Sequence, residues 1–354
     1  MYGAYIYWKT IFSFGRYPAG AYARPRSTSK ILVMKHPASL TVADAGRRRW
    51  LRLAVAGGVV ASMEACQTAP RPAVPVVPAP APVAAVPPAA LPPAALRPPR
   101  IGLALGGGAA RGFAHIGVIQ VLEENALRPD LVVGTSAGSL VAALYASGKS
   151  GADLGLLADS MDESAFTDWS FPGRGLIRGE ALARYVREHT GGRKIEVMSI
   201  PLGIVATDLD NGQAILFQRG DPGVAVRASS AVPAVFQPVR IGTREYVDGG
   251  LVSPVPVRFA RQMGAELVIA VDISAVPEGS ATGDPMRMLL QTFAIMGKSI
   301  NQFELRDADI VLRPSLPGVS GADFGARKRS IQAGREAMLA QLPRLRERIA
   351  AGTH

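Results

Sequence analysis

From Ile101 onward the chain repeats one alternation of apolar and polar positions. Ile101 to Leu105 is a short, wholly apolar run, and Gly112 to Glu124 carries its apolar residues at helical spacing. Leu131 to Val133 is a second strand-like run, followed by a small-residue amphipathic stretch from Ala137 to Ser147. Strand, glycine turn, helix, strand, tight turn, helix is the order of a parallel α/β sheet. Further strands are expected at 201–206, 214–218, 245–247 and 267–272. Residues 307–313 read as one more, and 327–350 as closing helical structure, bent or interrupted at Pro343.

Upstream of Arg100 the pattern is different. Residues 67–99 are almost all Pro, Ala and Val, with about 12 prolines, which rules out helix and central strand and leaves a semi-rigid spacer. Before it, Arg47-Arg48-Arg49 precedes the apolar run 53–62 and then Cys66, the charged, hydrophobic and small-residue order of an export signal. The arrangement resembles a bacterial lipoprotein signal with Cys66 as the lipidated residue, although Met63 and Glu64 depart from that pattern. A cytoplasmic protein with a chance apolar leader is the alternative. The expected organisation is therefore a leader over 1–66, with 1–33 outside the mature protein, a linker over 67–99, and a catalytic domain over 100–354. Within that domain the motifs fall between 100 and 275, leaving 276–354 as a less diagnostic C-terminal portion.

Composition narrows the function. The 354 residues are 48% hydrophobic, enough for a sizeable core. The net charge of +11 suggests nucleic acid until it is located: about 13 of the 39 Lys and Arg, but only about 2 of the 28 Asp and Glu, precede residue 101. The remainder is balanced, without the basic face that phosphate neutralisation requires. A single cysteine excludes an intrachain disulfide and any multi-cysteine metal site.

Two glycine-bearing turns and a third motif carry the chemistry. Gly106-Gly107-Gly108-Ala109-Ala110-Arg111-Gly112 follows the first strand, where exposed amides at a helix start suit an anion. A dinucleotide loop would need glycine at the sixth position, where Arg111 stands, and an acid after the next strand, where there is none. A nucleotide-hydrolase loop would need Lys-Ser/Thr after the last glycine, and Phe113-Ala114 follows. An oxyanion hole, which needs only backbone donors, fits without additions. Gly134-Thr135-Ser136-Ala137-Gly138 is a G-x-S-x-G at a strand-to-helix junction, which is a nucleophile elbow or else a serine capping a helix. Asp248-Gly249-Gly250 follows a short strand and reads equally as a plain turn. Downstream of Ser136 only His189 and His354 are available, neither in the setting of an oriented base, so Asp248 is the best acceptor for the serine proton.

Other residues have duller readings. "TDLDNG" at 207–212 is a hairpin turn before it is a calcium loop, Arg111 steadies the glycine loop before it attracts a lipid phosphate, and His115 is a packing or hydrogen-bonding histidine. Ser229 and Ser230 shape a turn. Phe166, Trp169 and Phe171 mark where an acyl pocket or lid, or ordinary surface packing, would lie.

With Arg111-Gly112, His115-Ile116-Gly117, Gly-Thr-Ser-Ala-Gly, "ASSAVPAVFQPV" at 228–239 and Asp248-Gly249-Gly250 in that order, the sequence resembles the bacterial branch of the patatin-like phospholipase family. The resemblance implies a three-layer α/β/α sandwich with a mostly parallel central sheet and a Ser-Asp dyad acting on lipid acyl esters without metal or cofactor. Carried over by position, Ser136 is the nucleophile, Asp248 the base, and Gly107, Gly108 and Ala109 the oxyanion donors. Gly106, Arg111 and Gly112 support the loop, and Gly134 and Gly138 form the elbow. Ala109 stands where many relatives have glycine, so its Cβ is expected to crowd the oxyanion pocket. The implied function is hydrolysis of phospholipid or lysophospholipid acyl esters, on a membrane reached through a lipid anchor at Cys66 and facing the periplasm. A small-ester or thioester hydrolase of the same fold and a catalytically silent lipid-binding protein are the alternatives.

Overall fold

The computed structural model describes residues 97–353 apart from 163–165, 167, 169–173 and 276–283. The leader, Cys66, nearly all of the proline-rich linker, Trp169, Phe171 and His354 lie outside the described residues. The chain is already anchored three residues before the expected domain start: the Arg97 guanidinium makes a two-pronged bond to Glu266, and Pro99 is buried.

The elements follow the alternation of the sequence. They are β1 (Ile101–Leu105), α1 (Phe113–Glu124), β2 (Leu131–Thr135), α2 (Ala137–Ala146), α3 (Gly151–Ser160), β3 (Gly175–Ile177) and α4 (Glu180–His189). Next come β4 (Leu202–Asp208), β5 (Ala214–Phe217), α5 (Pro222–Ser229), β6 (Ala234–Phe236), β7 (Val239–Ile241) and β8 (Arg244–Asp248). The chain closes with α6 (Val257–Gln262), β9 (Leu267–Val271), α7 (Pro285–Glu304), β10 (Ile310–Leu312) and α8 (Arg327–Ala351).

The main sheet runs β10-β9-β1-β2-β4-β8-β7, with β5 also paired to β4. From β10 to β4 every pairing is parallel, while β5, β7 and β8 join antiparallel. β3 and β6 form a separate small parallel pair. Because strand side chains alternate, each central strand feeds two cores. Leu103, Leu105, Val132, Ile269 and Val271 pack with α1, α2 and α8 on one face, whereas Ala104, Val133, Val268 and Ala270 pack with α6 on the other. Both faces are covered, which makes the fold a three-layer α/β/α sandwich and explains why β1, β2, β4 and β9 are buried along their whole length.

The C-terminal portion adds one helix to the sequence reading and settles one point in it. Residues 285–304 form a helix that the hydrophobic pattern did not announce. The closing helix α8 runs unbroken through Pro343, with Met338 and Leu345 fully buried on either side of it. Packing on both sides of the proline outweighs its cost of about 3 kcal/mol. That helix belongs to the core: a Cβ added at Gly334 would stand 1.9 Å from the Ala114 carbonyl of α1.

Candidate active site

The register of β4 brings two distant segments together. Gly134 and Phe217 both pair with Ile204, so β2 and β5 lie on opposite edges of β4; Ile215 and Asp248 both pair with Ala206, so β8 shares the edge used by β2. On that edge Thr135, the last residue of β2, pairs with Val205, and Asp248, the last residue of β8, pairs with Ala206. The two strands run toward each other and stop one position apart. Ser136 leaves one tip and the Asp248 carboxyl sits on the other, with the Ser136 hydroxyl donating to Asp248 Oδ2 at 2.7 Å.

Ser136 is held in a backbone conformation that few side-chain-bearing residues adopt, with φ +52° and ψ −123°. Such a residue costs on the order of 1–3 kcal/mol, and its surroundings must enforce it. The tightness is visible at the flanking glycines: a Cβ at Gly134 would meet the Gly138 carbonyl at 2.3 Å, and one at Gly138 would meet the Leu105 carbonyl at 2.1 Å. The side chain of Ser136 makes no capping bond to α2, so of the two sequence readings of this turn the geometry is that of the elbow.

Asp248 is buried. Its Oδ1 accepts the Gly250 amide at 2.7 Å, and its backbone carbonyl accepts the Thr207 hydroxyl at 2.7 Å. Burial pushes its pKa up to about 6, partly offset by the bonds from Gly250 and Ser136. A carboxylate near that value is a far better proton acceptor at neutral pH than an exposed aspartate.

Ser229, the last residue of α5, completes the seat: its hydroxyl donates to the Val205 carbonyl at 2.5 Å and accepts the amide of Ser136 at 2.8 Å. The sequence marked Ser229 as a turn residue and missed this contact, although the "ASSAVP" segment around it was the available signal.

The glycine loop lies beside the nucleophile, since a Cβ at Gly107 would stand 3.2 Å from that of Ser136. One expected donor is corrected: the amide of Gly107 donates to the Pro254 carbonyl at 3.0 Å and is therefore engaged. The amides of Gly108 and Ala109 have no partner among the described residues. Ala109 is left-handed, with φ +51°, and its Cβ faces Gly321. Gly106 is pinned twice, through its amide to Val271 at 3.0 Å and through its carbonyl to His115 Nε2 at 2.8 Å. Burial pulls the His115 pKa down to about 4, so the ring is neutral and serves as a strut. Half-buried Arg111 and buried Gly112 lie in the 3-10 turn Ala109–Gly112 that leads into α1, with Gly112 against Ala137 of the elbow. His189 is stacked on Tyr185 and bonds its carbonyl at 2.9 Å.

The remaining candidates are placed as follows. Residues 207–212 span the end of β4 and the hairpin turn into β5, with Asp208 accepting the Asp210 amide at 2.9 Å. Phe166 packs edge-on against Tyr185. Among the described residues no three His, Cys, Asp or Glu side chains are gathered as a metal would require.

Known proteins resemble this chain in sequence. Residues 103–261 match the family model of the patatin-like phospholipases. An uncharacterized NTE family protein of Mycobacterium tuberculosis is 38% identical over 186 residues, covering 52% of this chain and 51% of the relative. Mouse patatin-like phospholipase domain-containing protein 6 is 33% identical over 186 residues, covering 50% of this chain and 14% of that protein. The chain thus spans about half the length of the mycobacterial relatives it matches. Among solved structures, VipD from Legionella pneumophila aligns with a TM-score of 0.47 at 14% identity, over 73% of this chain and 68% of that one.

Proposed function

The chain belongs to the patatin-like phospholipase family, and from that premise we propose that it hydrolyses fatty-acyl esters of phospholipids or lysophospholipids with Ser136 as nucleophile and Asp248 as its base. The observation that carries the reading is the 2.7 Å bond from a strained serine to a buried carboxylate whose pKa lies near 6. In the forward step Asp248 takes the hydroxyl proton as Ser136 Oγ attacks the ester carbonyl, and the negative oxygen of the tetrahedral intermediate faces the amides of Gly108 and Ala109. Collapse expels the alcohol, which receives the proton from Asp248, and leaves the acyl group on Ser136. Water then attacks the acyl-enzyme, Asp248 accepts its proton, and the fatty acid departs as the proton returns to Ser136 Oγ.

A fluorophosphonate probe and a panel of acyl esters test the proposal together. The wild type should be labelled at Ser136 and turn over lipid esters, and Ser136→Ala and Asp248→Asn should lose turnover by at least a thousandfold. Labelling with turnover confined to small esters or thioesters would replace the lipid substrate; neither labelling nor turnover would make the chain a lipid-binding protein.

The proposal extends to location. Export and lipidation at Cys66 would hold the enzyme at a bacterial envelope membrane, facing the periplasm, and so raise its concentration near substrate. Intact mass of the protein from its native host tests this: an unmodified chain retaining residues 1–65 would refute it.

A further inference from the structure

The helix that borders the catalytic end of the sheet carries large apolar side chains on its exposed face. The buried residues of α7 are Gly297, Asn301 and Glu304. Asn301 donates to the Ser274 hydroxyl at 2.9 Å, Glu304 accepts the Ser253 hydroxyl at 2.8 Å, and Gly297 lies against Pro254. Four large residues point the other way: Met288, Ile295, Met296 and Phe303 are 50%, 51%, 45% and 64% exposed. At 100° per residue these four fall, with Thr292 and Ser299, in a stripe roughly 100° wide, opposite the buried face. Single exposed apolar residues are ordinary, but a continuous stripe on one helix indicates an occupant.

Charge selects the occupant. Between Asp284 and Glu304 the helix has no carboxylate, and its exposed charge there, Lys298, lies on the flank of the stripe. At the far end the Arg306 guanidinium stands over the Phe303 ring, 5.0 Å from its centre. A second copy docked through this face by a two-fold axis would set the exposed Lys298 and Arg306 of one copy near those of the other. A surface of anionic lipid headgroups over acyl chains matches both parts of the helix. No helix among the described residues is long and apolar enough to cross a membrane.

The helix is also continuous with the site. Pro254, which Gly297 touches, is the residue whose carbonyl holds the Gly107 amide. We infer that α7 is an interfacial helix that seats the catalytic end of the sheet on an anionic lipid surface, with the stripe from Met288 to Phe303 in the acyl layer. An acyl ester then reaches Ser136 from the surface without crossing water. This deepens the acyl-hydrolase reading and rests on it for the physical form of the substrate, a lipid packed in a surface.

Vesicle sedimentation of the full chain tests it, using Ser136→Ala protein so that no turnover alters the lipid. Vesicles of equal phosphatidylglycerol and phosphatidylcholine should bind the parent, and the double substitution Ile295→Gln with Phe303→Gln should weaken partition at least tenfold. Lys298→Glu should reduce the preference for phosphatidylglycerol over pure phosphatidylcholine vesicles by severalfold. Both substitutions are at exposed positions, so the melting temperature and, with Ser136 present, hydrolysis of soluble p-nitrophenyl butyrate should be unchanged. A parent that ignores anionic vesicles, or a double variant that binds as its parent does, overturns the inference. So does a dimer that the double substitution splits while vesicle binding persists. Loss of vesicle binding in a chain that hydrolyses no ester would instead leave the interfacial helix standing and remove the catalytic reading.

Discussion

The hydroxyl of Ser229 accepts the amide hydrogen of Ser136 at 2.8 Å, so a residue 93 positions away fixes the backbone of the proposed nucleophile. The same hydroxyl donates to Val205, whose neighbour Ala206 is paired with Asp248. One small side chain therefore ties the elbow to the strand that positions the carboxylate.

Ser229→Ala should lower kcat/KM for acyl esters by roughly tenfold, the equivalent of about 1.4 kcal/mol, with the loss mainly in kcat. The reason is that the substitution frees the strained peptide at Ser136 without touching either reacting group. Steady-state kinetics beside a thermal melt check it. A large fall in stability with unchanged kinetics in the folded fraction would show that Ser229 only supports the fold.

The pH profile follows from the buried carboxylate. With the Asp248 pKa near 6, the ionised base is scarce at pH 5 and nearly complete at pH 7. The kcat/KM of the full enzyme should rise about tenfold over that interval and flatten above it. Buried, neutral His115 titrates near 4 and should not shape the curve in this range, so His115→Gln should leave the position of the inflection unchanged.

How much of this was readable beforehand depends on what each feature rests on. The meeting of Ser136 and Asp248 was legible because the tight turns that carry them demand small neighbours, and glycines at 134, 138, 249 and 250 leave a mark in sequence. The engagement of the Gly107 amide was not legible, because it depends on the carbonyl of Pro254, 147 residues on, arriving over the loop. Ser229 was visible as part of a motif, but its bond to Ser136 required the register of β4. Helix α7 escaped the hydrophobic pattern because its apolar residues are not confined to one face: Met288, Ile295, Met296 and Phe303 are exposed while Leu290 and Phe293 are half-buried. At Pro343 the helix is not interrupted, and packing around Leu345 holds it together there.

Gly334 offers a test of whether the C-terminal helix is integral to the domain. A methyl group at that position would stand 1.9 Å from the Ala114 carbonyl, one residue before the His115 that braces the glycine loop. Backbone cannot yield as a flexible side chain would, so Gly334→Ala should destabilise the domain by about 3 kcal/mol. Urea denaturation should show a lower midpoint with an unchanged slope. A variant as stable as the wild type would mean that α8 can move off α1 without cost.

The last prediction separates stability from activity at one residue. Because burial raises the Asp248 pKa from 3.8 to about 6, the folded state holds that proton more tightly than the unfolded chain does. Ionisation therefore costs folding free energy, beginning as pH rises past the unfolded value near 4 and complete above 6. The full cost is about 3 kcal/mol, since each tenfold gain in proton affinity is worth about 1.4 kcal/mol. An asparagine keeps the shape and never carries the charge. Asp248→Asn should accordingly melt at a higher temperature than the wild type at pH 8, lose that advantage at pH 4, and be inactive at both. Melting curves at the two pH values check the sign. A variant less stable than the wild type at pH 8 would mean that Asp248 is stabilised as an anion, and it would remove the physical basis for a carboxylate that accepts a serine proton.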